Sequence, residues 1–177
     1  DLIVSRGLGD VYKRQQGVAL ACKKLKIKCN IVMPVTAPEN KIKAVRRLKA
    51  KVTLYGENLS HALKKANEMA KENKYTFVHP FDDPYTIAGQ GTVGKEILQD
   101  DINYDVIFVP VGGGGLLAGV SAWIRQHKSK IKIIGVEVND SACLSEALKL
   151  NKRVTLKKVG LFACLLYTSP SPRDTIR

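Results

Sequence analysis

Four consecutive glycines, Gly112 to Gly115, follow the apolar run Val106–Val111 and precede Leu116 and a helical pattern. A backbone without Cβ atoms folds tightly and brings several N–H groups within reach of one anion. A helix starting just after such a loop adds its unbonded N-terminal donors and the positive end of its dipole. The chemistry these residues suit is the holding of a phosphate. A loop that only reverses the chain would not need four glycines, each of which costs conformational entropy on folding. No Gly-Lys-Ser/Thr follows, which excludes a Walker-type P-loop. A dinucleotide pattern stays open. Gly113, Gly115 and Ala118 fit G-x-G-x-x-A, and Glu137 ends the next apolar run about 20 residues on, where an acid would meet a ribose.

The elements that must position this loop are legible as alternating periods. Val18, Ala21 and Leu25 share one stripe of a helix over Gly17–Lys26, and Cys29–Met33 is a short apolar strand ended by Pro34. Pro38 suits the first turn of a helix reaching Leu48. Val52–Tyr55 reads as a strand, Ser60–Glu72 as a helix with Ala62, Ala66 and Ala70 at four-residue intervals, and Phe77–Val78 as a strand. Beyond Asp82-Asp83-Pro84 a helix covers Thr86–Leu98, despite Gly89, Gly91 and Gly94. Val106–Val111 is a strand, Leu116–Gln126 a helix, Ile131–Val138 a strand and Ser141–Leu150 a helix. Strands separated by helices predict an α/β fold with parallel pairing. Apolar strands without polar alternation predict a sheet covered on both faces.

Composition bounds the rest. The chain has 177 residues, 45% of them hydrophobic and 25% charged, which is globular and not disordered. Cys22, Cys29, Cys143 and Cys164 form no CxxC pair, so neither a disulfide framework nor a cysteine zinc site is expected, and a reducing, cytoplasmic setting is. Val106–Ile124 carries no charge, but Pro110 and the glycine run would break a spanning helix, so no membrane segment is expected. The net charge of +13 is uneven. Gly17–His79 holds 14 Lys and Arg against 4 Asp and Glu, whereas Pro80–Ala163 is nearly balanced. Residues such as Lys41, Lys43, Arg46, Arg47 and Lys49 fall on polar helix faces, and no nucleic-acid motif accompanies them. The expectation is a solvated lysine-rich surface with no nucleic-acid partner.

Residues 1–16 and 164–177 lack periodicity and are expected to be tails outside the fold, spurious or disordered. The charge shift near His79 suggests two subdomains, 17–79 and 80–163.

Several strings carry a resemblance. The run MPVTAPENKIKAVRRLKAKVTLYG (Met33–Gly56), then HPFDDPYTIAGQGTVGKEI (His79–Ile97), VPVGGGGLLAGV (Val109–Val120) and IIGVEV (Ile133–Val138) resemble threonine dehydratase (threonine ammonia-lyase). That enzyme belongs with serine racemase and serine dehydratase to the fold-type-II pyridoxal-phosphate enzymes. The likeness runs from about Gln16 to Ala163. The related cysteine synthases carry a Ser/Thr-containing loop where GGGGL stands here.

The resemblance implies parallel twisted sheets with helices on both faces, of the tryptophan-synthase-β type. It implies a small mobile domain over 17–79, part of a cofactor-binding domain over 80–163, and pyridoxal 5′-phosphate in the cleft between. Gly112, Gly113, Gly114, Gly115 and Leu116 would hold its phosphate. The reaction implied is β-elimination of water from threonine or serine and deamination, threonine giving 2-oxobutanoate and ammonia, with serine racemase activity as the alternative. A homo-oligomer is implied for the intact enzyme, and a role in isoleucine biosynthesis or in catabolism stays open. Departures matter. The family's Schiff-base lysine lies in an S-F-K-x-R-G motif absent here, and Lys13 in VYKRQ is no substitute. Of the family's G-N-H-A-Q-G, only Gln16-Gly17 remains. No catalytic residue is therefore assigned, and this polypeptide is expected to be an inactive central fragment. Glu137 matches a cation-binding Glu of serine-racemase-like members, but the companion Asp position is Cys143, a poor partner for Mg²⁺. No metal is expected. His79 stands at the domain crossover and reads as a packing residue.

Overall fold

A computed structural model describes residues 2–5, 11–57, 59–152, 154 and 156. The chain divides into two compact units, Asp1–Pro80 and Phe81–Arg177.

The first unit is built on a parallel sheet of β1 (Leu2–Ser5), β2 (Cys29–Met33), β3 (Lys51–Leu54) and β4 (Thr76–Val78), in the order β3-β2-β1-β4. Helices α1 (Val11–Leu25), α2 (Glu39–Arg47) and α3 (Leu59–Asn73) connect the strands. Every residue of β2 is buried. Side chains alternate across a strand, so Cys29, Ile31 and Met33 face one way and pack with Ala19, Cys22, Ile42 and Val45. Val32 faces the other way, onto Ala62 and Ala66 of α3. The four-residue alanine spacing thus lays a smooth helix face on the sheet. Pro38 caps α2 with its carbonyl accepting from Lys41 and Ile42.

One expectation is corrected here. Residues 1–16 are not a tail throughout: Leu2–Ser5 forms β1 between β2 and β4, pairing Leu2 with both Cys29 and Thr76. Four uncharged residues are too short to show a period, yet they fill a central strand position. Helix α1 likewise begins at Val11, ahead of the readable stripe. Residues 164–177 lie outside those described.

The second unit holds α4 (Pro84–Gln99), β5 (Val106–Pro110), α5 (Gly115–His127), β6 (Lys132–Val136) and α6 (Cys143–Leu150). The helix expected from Ser141 is divided into a 3-10 turn, Asn139–Ser141, and α6. Asp83 caps α4, its Oδ1 accepting from Thr86 N at 2.8 Å, with Pro84 in the first turn where a missing N–H costs nothing. Strands β5 and β6 pair in parallel from Val106↔Lys132 to Pro110↔Val136. The core gathers Ile107, Val109, Val120 and Ile124. Among the described residues the burial of β5 alternates, with Phe108 66% exposed, where its apolar run alone predicts cover on both faces. No helix among the described residues is long and apolar enough to cross a membrane.

Candidate functional site

The glycine loop begins where β5 ends. Val111 N donates to Val136 O at 2.8 Å, the last bond tying the chain to β6. The backbone then turns through Gly112 and Gly113 to Gly114, whose φ of +83° is left-handed, and α5 starts at Gly115. Gly114 is the N-cap and its carbonyl accepts from Ala118 N at 2.9 Å. The N–H groups from Gly112 to Leu117 make no hydrogen bond among the described residues. These donors cluster at a helix N-terminus and at the carboxyl end of a parallel strand, where an anion is favoured by both bonding and dipole.

The four glycines have different reasons to be glycine. A Cβ on Gly113 would overlap the Phe81 ring, and one on Gly115 would lie 2.7 Å from the Phe81 carbonyl oxygen. Gly114 is fixed by its left-handed φ. Gly112 alone has neither constraint: no heavy atom lies within 4 Å of a Cβ built there. The local structure therefore requires glycine at three positions, and at Gly112 the space is open. Sequence reasoning does not single out Phe81, because an aromatic in a loop carries no periodic signal.

Behind the loop, α4 and α5 cross closely. A Cβ on Gly94 would lie 3.1 Å from Val120 O, and one on Gly119 would overlap Ile87 O. Gly91 and Gly94 thus serve helix packing, which holds α5 and its N-terminus in place.

Glu137 is occupied. Its Oε1 accepts from Leu144 N at 2.9 Å and its Oε2 from Ser145 N at 2.8 Å, so the carboxylate caps α6. The carboxylate that the dinucleotide pattern assigns to a ribose is thus engaged, through both oxygens, with the start of α6. No group of three or more His, Cys, Asp or Glu among the described residues is placed to hold a metal ion. His79 packs edge-on against Phe77 with ring centroids 6.0 Å apart. His127 stacks on Trp123 and its Nδ1 lies 2.8 Å from Trp123 O.

With this geometry in hand, the comparisons decide the family. The pyridoxal-phosphate dependent enzyme family matches residues 16–176. The chain belongs to that family. A biosynthetic L-threonine dehydratase of Pasteurella multocida is 51% identical over 148 residues, covering 84% of this chain and 29% of its own length. A mitochondrial threonine dehydratase of Schizosaccharomyces pombe is 49% identical over 150 residues, 84% of this chain and 25% of its own. Among solved structures, the processed threonine deaminase isoform 2 of Solanum lycopersicum superposes with a TM-score of 0.82 at 41% identity, over 92% of this chain and 46% of the other. The fold is α/β of fold type II. This chain spans less than a third of the curated relatives' length.

Proposed function

We propose that the backbone N–H groups from Gly112 to Leu116 hold the phosphate of pyridoxal 5′-phosphate. We further propose that the longer protein to which this chain corresponds deaminates L-threonine or L-serine, the net reaction on threonine yielding 2-oxobutanoate and ammonia. The observation that carries the first reading is the row of unbonded donors beside the open space at Gly112. The names of the relatives near 50% identity support the second.

When bound, the cofactor's pyridinium ring supplies an electron sink for loss of a substrate α-proton. The residues here contribute positioning. Gly114 turns the loop into α5, α5 adds its dipole, and the Gly91–Gly94–Gly119 crossing keeps the helix from shifting. Phe81 backs the loop with an apolar ring.

The test is a titration of the 177-residue chain with pyridoxal 5′-phosphate followed by phosphorus NMR. A saturable shift of the phosphate resonance, reversed by inorganic phosphate and not by NAD, is expected. No saturable shift, or displacement by NAD, contradicts the reading. Because no S-F-K-x-R-G string occurs in its sequence, the chain alone is expected to form no 2-oxobutanoate from threonine.

A further inference from the structure

In a parallel sheet every helix-to-strand connection arrives at the same end, the amino end of the strands. In the first unit these connections are segments 23–28, 46–51 and 71–75. Together they hold ten Lys and Arg against one acid, Glu72. All ten cations are exposed, and none forms an ion pair among the described residues. What the sequence spreads over three helices, the topology gathers on one face.

Two features separate this face from ordinary helix-end charge. A cation in the last turn complements the helix dipole, which accounts for Lys23, Lys24, Arg46, Arg47 and Lys71. It does not account for Lys28 and Lys51, which stand where strands begin. Nor does it account for Lys26, Lys49 and Lys74, which take left-handed φ values of 57°, 64° and 54°. Glycine is the usual residue at such helix ends because it has no Cβ to strain. All three sites carry lysine instead. The corresponding connections of the second unit are mixed, with Asp100, Asp101 and Asp105 in one and Lys128, Lys130 and Lys132 in the other.

We propose that the amino end of the four-stranded sheet is a docking surface for the phosphodiester backbone of duplex nucleic acid, bound without sequence preference. This departs from the expectation drawn from sequence, which saw the lysines only as helix faces. Neighbouring strands lie about 4.8 Å apart, so the edge from β3 to β4 spans roughly 14 Å. That length matches about four phosphates of one strand at ~3.4 Å of helix axis each. The one aromatic residue of these connections, Tyr75, is partly buried against the Val32, Ala62 and Ala66 cluster, so bases have little to stack on, and a single strand gains no advantage over a duplex. The face lies at the opposite end of its strands from their carboxyl ends, where ligands of α/β sheets bind.

The experiment is fluorescence anisotropy of a labelled mixed-sequence duplex of about 20 base pairs, titrated with the full chain between about 50 and 200 mM salt. One variant is Lys24→Gln/Lys28→Gln/Arg47→Gln/Lys51→Gln; the control, Lys95→Gln/Lys128→Gln/Lys130→Gln/Lys132→Gln, removes the same charge from the second unit. All eight side chains are exposed, so both variants are expected to keep the wild-type circular dichroism. The slope of log affinity against log salt should fall by about 3 to 4 for the first variant and by less than about 1 for the control. Equal losses in both would show that binding follows net charge alone and would overturn the proposal. Tighter binding to the single strand, to phosphatidylserine vesicles or to polyglutamate than to the duplex would overturn it as well.

Discussion

Strands β2 and β5 are both five residues long and mostly apolar, yet β2 is buried at every position, Asn30 included, and β5 at every second one. The difference lies in their neighbours. Strand β2 sits between β1 and β3, with residues of α1 and α2 on one face and α3 on the other. Among the described residues strand β5 pairs with β6 alone and packs one face on Val120 and Ile124 of α5. Burial is a property of the assembly around a strand; composition supplies only the permission. The first unit spends its apolar residues on a two-sided core, and the second aligns a helix with a glycine loop.

That contrast can be broken or sharpened by substitution, and the largest effect is expected in the second unit. Gly119→Leu drives a side chain into the backbone of α4 at Ile87 and Gly91, where nothing can yield. A loss of at least about 3 kcal/mol is expected, read in urea by the fluorescence of Trp123, the single tryptophan. Next comes the strand pair itself. Ile31→Ala should cost about 2–4 kcal/mol, because the side chain is wholly buried and leaves a cavity. Phe108→Ala should cost about 1 kcal/mol or less, despite the larger side chain, because Phe108 is mostly exposed. Equal losses by urea denaturation would erase the distinction drawn between the strands.

Smaller effects test details of the first unit. Gln15 is fully buried and neither its Nε2 nor its Oε1 finds a partner among the described residues. Gln15→Leu removes that desolvated amide and should stabilise the chain by about 1 kcal/mol in thermal denaturation. The subtlest test is pH. Burial, followed by the charge and hydrogen bond of Cys22, pushes the Cys29 thiol from 9.0 up to about 12. The folded state therefore keeps its proton where the unfolded chain loses it. This stability is fully present below pH 9 and is lost as pH rises from there toward 12. Between about pH 8.5 and 10 the urea midpoint should fall, by an amount worth roughly 1 kcal/mol. Cys29→Ala should flatten that dependence.

Much of the fold is written in local pattern. Cys29–Met33 is a strand with the limits its apolar residues suggest, and the helix that places Ala62, Ala66 and Ala70 on one face differs by a residue at each end. The glycine loop is visible because four glycines between a strand and a helix are hard to explain otherwise. What sequence could not show depends on distant partners. Leu2–Ser5 becomes a strand only through pairing with β2 and β4. Glu137 looks like a ligand residue at a strand end until the turn at Asn139–Ser141 brings the amides of Leu144 and Ser145 onto it. Phe81 acquires meaning only because Gly113 and Gly115 pack against it. The lysines of three helices become one face only once the sheet is known to be parallel.

The central claim is that the space at Gly112 is left open for a phosphate and not for the fold. The direct test is Gly112→Asp, with stability by urea denaturation and pyridoxal 5′-phosphate binding by phosphorus NMR measured on the same sample. An unchanged urea midpoint with binding abolished is the predicted result, since a Cβ meets nothing there and a carboxylate would repel the phosphate. Binding equal to that of the unsubstituted chain would contradict the assignment.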